Sequence, residues 1–180
     1  MNKATKTLSV LLLVLGASAF RTVGSGDWSI PATGYSVKFS TTGDVGGIFK
    51  GLSGTIHFDE TNLATAVFNV SVQVATLNTG NALMNQHAKS NEWFDATKYP
   101  TITFVSSKVV KAGASYQAVG TLTMHGVSKP FTMPFTFAHS GSGGTFHAAF
   151  QVNRVLFGVG KSGDTDDNIS LDLTVPVTAK

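Results

Sequence analysis

The sequence predicts an all-β domain built from antiparallel strands, and three observations carry that reading. Apolar and polar residues alternate with period two in several long stretches, turn residues fall at the breaks, and only one internal stretch abandons the alternation. Strands with one wet face and one apolar face belong to antiparallel sheets, whereas a parallel α/β core needs strands apolar on both faces.

The elements can be taken in chain order. Lys3 and Lys6, the apolar run Leu8 to Leu15 and the small-residue site Ala17-Ser18-Ala19 read as a cleaved export leader over residues 1–19. The run is shorter than the roughly 20 apolar residues a bilayer span needs. A mature domain over 20–180 is expected in the periplasm or secreted. Tyr35, Val37 and Phe39 mark a weak first strand, and Thr55 to Phe58 another, with Thr42-Gly43-Asp44 as a turn between them. Phe68, Val70, Val72 and Val74 alternate with Asn69, Ser71 and Gln73.

Thr79 to Lys89 contains helix formers and no alternation. Thr79 or Asn81 can cap a helix there, and Ser90 to Asp95 reads as a second short helical turn. Thr101 to Val110 returns to strand. Tyr116, Ala118, Leu122 and Met124 form the next apolar face, with Lys111-Ala112-Gly113 before it and His125-Gly126 after it. Phe131, Met133, Phe135 and Phe137 follow, then the turn run Ser140 to Gly144. Phe146, Ala148, Phe150 and Val152 form one more face, and Ile169, Leu171, Leu173, Val175 and Val177 the last.

About eight strands with short connections make either a sandwich or a closed barrel. The 13 phenylalanines crowd the apolar faces, which suits a barrel wide enough to be filled by side chains or to enclose one small ligand.

Composition excludes several functions. There is no cysteine, so no disulfide, thiolate metal site or cysteine nucleophile exists. Without its leader the chain has 11 basic residues against 10 acidic, with Arg21 and Arg154 its only arginines and no basic stripe, which argues against nucleic-acid binding. Gly158-Val159-Gly160-Lys161-Ser162-Gly163 spells a dinucleotide fingerprint but follows an alternating strand with no helix after it. Asp164, Asp166 and Asp167 lack the glycine and distal glutamate of a calcium loop. The five histidines share no metal spacing on one element, and no Gly-x-Ser-x-Gly supports a nucleophile. The reading is of a non-enzyme with no cofactor and no metal.

Several blocks together resemble the YceI-like family. They are Gly54-Thr55-Ile56-His57-Phe58-Asp59, Leu77-Asn78-Thr79-Gly80-Asn81 with His87, Trp93 through Phe104, Gly120 through Pro130, and Val152-Asn153-Arg154 with Phe157-Gly158. The resemblance implies an eight-stranded antiparallel lipocalin-like barrel with a short helical segment capping one end. It also implies a polyisoprenoid, isoprenoid quinone or fatty amide held in the lumen, for carriage or storage, with membrane contact only transient for loading or unloading. A homodimer is left open. Many family members carry Asp-Pro-Ala-His-Ser before the first strand and a Lys-His pair at its end. Ile30 to Ser40 has neither histidine here, so contacts made by those histidines do not carry over.

With that resemblance, residues that singly would read as core become candidates for lining the lumen: Phe39, Phe68, Val70, Phe104, Leu122, Met124, Met133, Phe135, Phe137 and Phe150. Trp93 and Phe94, with Tyr99, are candidates to line or plug the mouth. His87 is a candidate head-group contact. Arg154 can take a head group through its planar fork of donors, but pairing with Asp95 or Asp172 to fix a loop is the favoured role. The alternatives are an enzyme acting on such a lipid, or a self-filled structural or stress-response barrel.

Overall fold

The structure is a computed structural model describing residues 26–43 and 45–180. The expected leader over 1–19, its cleavage point and Asp44 of the first turn lie outside the described residues.

Ten strand segments form one antiparallel sheet: β1 (Asp27–Ser29), β2 (Ser36–Ser40), β3 (Gly46–Phe49), β4 (Ser53–His57), β5 (Val67–Gln73), β6 (Thr101–Ala112), β7 (Ser115–Met124), β8 (Val127–Ser140), β9 (Gly143–Asn153) and β10 (Asn168–Ala179). They occupy eight positions in the wall. β10 pairs along one side with β9 and along the other with both β2 and β1. β2 pairs with β3, and β1 with β4. The first two wall strands are therefore each broken once, at Ile30–Tyr35 and at Lys50–Leu52. Pro31, which has no N–H to give a ladder, stands in the first break. The β1–β10 pairing closes the sheet, giving an eight-stranded antiparallel barrel.

The alternating faces point inward as expected, since Phe68, Ala118, Phe135, Phe146, Ala148 and Val175 are all buried. Three local expectations are corrected. β5 ends at Gln73, and Val74, read as strand, begins a 3₁₀ turn while remaining buried. The helix α1 is Ala82–Lys89, capped by Asn81, whose side chain accepts from the Met84 N–H at 3.0 Å. Ser90 to Asp95 forms turns and no helix. β3 is an element the alternation does not mark. Gly47 is required in it, because a Cβ would stand 2.5 Å from the Asn78 carbonyl oxygen.

The segments gathered at one end are the β2–β3 loop, α1 with residues 93–100, the β7–β8 turn and the β9–β10 loop. Tyr99 lies against Gly126, His125 beside Gly158, and Trp93 beside Gly160. The Thr42 hydroxyl donates to Asp166 Oδ2 at 2.7 Å, tying the β2–β3 loop to the β9–β10 loop.

Candidate ligand-binding site

The barrel is solid in one half and hollow in the other. Phe58, 1% exposed, sits at the centre of the solid half. Its ring lies 5.1 Å from Tyr116, 5.4 Å from both Phe135 and Phe137, and 5.5 Å from Phe146. Phe68 packs on the same cluster at 6.1 Å. Trp28 closes the base, its ring tilted against Phe137 with centroids 5.1 Å apart and its Nε1–H donating to the Phe58 carbonyl at 2.9 Å. Edge-to-face packing of this kind adds to the area each ring buries. Beside the plug, the Tyr116 hydroxyl donates to Glu60 Oε1 at 2.7 Å, and Glu60 Oε2 lies 2.8 Å from His139 Nε2. The bond to Glu60, burial and the nearby carboxylate together push the Tyr116 phenol up to about 12.

Above the plug lies a cavity of about 510 Å³. Phe39, Val70, Phe104, Leu122, Met124, Met133 and Phe150 line it, as do Trp93 and Phe94 at its upper end. Phe68, Phe135 and Phe137 do not. They face inward but belong to the plug, so the expectation that they line a lumen is corrected: parity along a strand gives the face, not the level along the barrel axis. Tyr99 also stays off the cavity wall and packs against His125, with ring centroids 4.7 Å apart. Phe49, Leu77, Ile102, Phe131, Leu171 and Leu173 line the cavity without having been candidates. Leu171, Leu173 and Phe131 stand on the alternating faces and were legible there. Phe49 and Leu77 come from segments with no periodic signal.

Polar wall groups gather at the rim. Thr41, Thr79, His87, Asp164 and Thr165 come from the loops and helix around the open end. Ser71 and its cross-strand partner Thr103 also border the cavity, but by strand parity they stand on the face opposite the inward Val70 and Phe104, and the Ser71 hydroxyl lies 3.3 Å from Ser53 Oγ. His87 Nε2 is 3.6 Å from Glu92, and its ring packs edge-on against Trp93 at 5.8 Å. Leu83 and Met84 of α1 are exposed beside this opening. Among the described residues no group of three or more His, Cys, Asp or Glu side chains could hold a metal ion.

Arg154 is buried, 4% exposed, and its partners are neither Asp95 nor Asp172. Its Nε donates to the Asp166 carbonyl at 2.9 Å, one terminal nitrogen to the Val159 carbonyl at 2.7 Å, and the other to those of Lys161 and Thr165, both at 2.8 Å. Asp167 is the nearest carboxylate, 3.7 Å away, while Asp172 faces His147. These four carbonyls wrap the β9–β10 loop around one cation. A Cβ on Gly160 would stand 2.8 Å from the guanidinium and 3.1 Å from Trp93, and its φ of 64° suits glycine.

Comparison with known proteins agrees with this architecture. The YceI-like domain profile matches residues 28–179. A UPF0312 protein of Pseudomonas syringae pv. tomato is 34% identical over 155 residues, covering 82% of this chain and 77% of its own length. Among solved structures, BcnA of Burkholderia cenocepacia superposes with a TM-score of 0.79 at 28% identity, covering 83% of this chain and all of its own. A polyisoprenoid binding domain from Saccharophagus degradans shares the fold, with a TM-score of 0.60 at 12% identity over 88% of this chain and 97% of its own. An eight-stranded barrel, half plugged and half hollow, with α1 at its rim, thus coincides with a family match over residues 28–179: the chain belongs to the YceI-like family.

Proposed function

We propose that the protein binds a linear apolar lipid, isoprenoid or fatty in character, with its tail in the hollow half of the barrel and its polar end at the rim. The observation that carries this reading is the shape and chemistry of the cavity: apolar walls, an aromatic floor, and polar side chains confined to the open end. Each methylene group removed from water contributes about 0.8 kcal/mol, so the walls alone favour a chain over a compact polar solute. Membership of a family that includes proteins of this shape supports the reading, and the Saccharophagus domain is named for polyisoprenoid binding.

The role is carriage or storage, not catalysis. Below the rim the wall offers no pair of titratable groups to move a proton. The leader-like segment over 1–19 supports export to the periplasm or beyond, with transient membrane contact for loading and unloading. Native mass spectrometry of protein purified from its own host, followed by lipid extraction, tests the proposal. An adduct that releases an apolar chain is the expected result. Protein that is bare, and that after delipidation takes up neither fatty nor isoprenoid probes, overturns it.

A further inference from the structure

The wall of the hollow half has a seam. The ladder between β8 and β9 runs only from Thr136↔His147 to Ser140↔Gly143. Beyond it, residues 127–135 of β8 keep their pairing with β7, and residues 148–153 of β9 keep theirs with β10. Both strands continue, but no ladder joins them.

The sequence explains why. His125 (φ 51°) and Gly126 (φ 75°) make a two-residue turn with both residues left-handed, the type I′ hairpin. In that hairpin the flanking pair, Met124 and Val127, exchanges both hydrogen bonds. Odd-numbered residues of β8 then turn their N–H groups toward β7, and even-numbered ones toward β9. Pro130 and Pro134 are both even-numbered, so two of the donors that β9 would need do not exist.

The lips of the seam belong to the cavity. Phe131 and Met133 line it from β8, and Phe150 and Val152 from β9. What spans the gap is a side-chain contact, the rings of Phe131 and Phe150 meeting edge to face with centroids 5.3 Å apart. The plug closes this cavity of about 510 Å³ from below, so the length of chain it can enclose is limited.

We propose that the β8–β9 seam is a lateral subsite of the lumen, which takes the part of a long linear chain that the cavity cannot hold. The Phe131 and Phe150 rings part around the chain, and its distal end passes outward beside Pro130 and Pro134. The ligand class then extends to isoprenoid chains well beyond the capacity of the cavity. This rests on the lumen reading above.

The test uses the absence of native cysteine. Thr132→Cys and Gln151→Cys place two exposed thiols on opposite lips, where the β8–β9 register would bring them level if it continued. A short bismaleimide joins them. Farnesol serves as the short probe and solanesol as the long one, both read by displacement of a fluorescent fatty acid. The linked protein is expected to keep its farnesol affinity and lose at least about tenfold in solanesol affinity. The doubly substituted Pro130→Val/Pro134→Val protein, which restores both N–H groups, is expected to show the same selective loss. Equal solanesol affinity in linked and unlinked protein overturns the subsite and leaves the lumen standing. Failure of the unlinked protein to bind either probe overturns the lumen and the subsite with it.

Discussion

The guanidinium of Arg154 lies over the indole of Trp93, 4.9 Å from the ring centroid, and so fastens the β9–β10 loop to the segment that follows α1. One side chain thereby organises two of the segments that make the rim. Its donors face four backbone carbonyls, and a buried carbonyl that loses its partner is costly. Arg154→Ala is expected to lower stability by about 3 kcal/mol or more, measured by chemical denaturation. Amide hydrogen exchange should accelerate most in residues 158–167. A variant whose loop amides stay as protected as the wild type would remove Arg154 from this role.

Phe150 and Phe58 separate capacity from stability. Phe150 lines the cavity, and Phe150→Trp adds volume to its wall, so affinity for the longest fatty probes should fall while short ones bind as before. Unchanged affinity at every chain length would count against the lumen. Phe58 lies at the centre of the plug, and Phe58→Ala should cost about 3–5 kcal/mol in unfolding free energy.

Tyr116 supplies an alkaline signature. Its phenol ordinarily loses its proton near 10.0 and is raised to about 12 in the fold. The protonated phenol is the form that donates to Glu60. Its contribution is complete below pH 10 and is lost as pH rises through the raised value. Wild-type stability should therefore decline across that interval, and Tyr116→Phe should be less stable below it and lack that decline. Ultraviolet titration of tyrosinate should show a late-ionising phase that Tyr116→Phe lacks.

Asp166 gives the opposite sign at acid pH. The Thr42 hydroxyl and then the Thr42 N–H hold its carboxyl below the usual carboxylate range. That tie is present above the ordinary carboxylate pKa and is lost as pH falls through the lowered value. Acidification should loosen the β2–β3 loop from the β9–β10 loop, seen as faster exchange of the Thr41 and Thr42 amides. In Asp166→Asn the same amides should exchange at a rate without that acid step.

The antiparallel strands and the inward faces of β5 and of β7 to β10 were legible in the sequence because period-two alternation reports directly which side of a strand is buried, whereas their closure into an eight-stranded barrel rested on the phenylalanine content and the family resemblance. Asn81 was legible, beside Thr79, as one of two candidate caps of α1 for a similarly local reason. What escaped is what depends on three dimensions. The alternation of Phe135 and Phe137 is indistinguishable from that of Phe131 and Met133, yet the first pair fills the barrel and the second lines its hollow. Nothing local says at which height along the axis a residue stands. β3 escaped because Gly46-Gly47-Ile48-Phe49 has no alternation and is set by its neighbours, Phe39 and Asn78. Arg154 was recognised as a fastener, but its acceptors are carbonyls of a loop whose path it creates, and no spacing of carboxylates could reveal them.

A bore packed at one end and vacant at the other divides labour along its length. The interlocked rings around Phe58 act as ballast, securing the fold whether or not anything occupies the vacant end. Half-buried residues facing that vacancy, such as Met133, Phe150 and Leu171, stand outside the ballast, and substitutions among them can retune the cargo with the interlocked rings left intact. The same scaffold can thus be refitted for different passengers by rewriting a handful of side chains above its anchor.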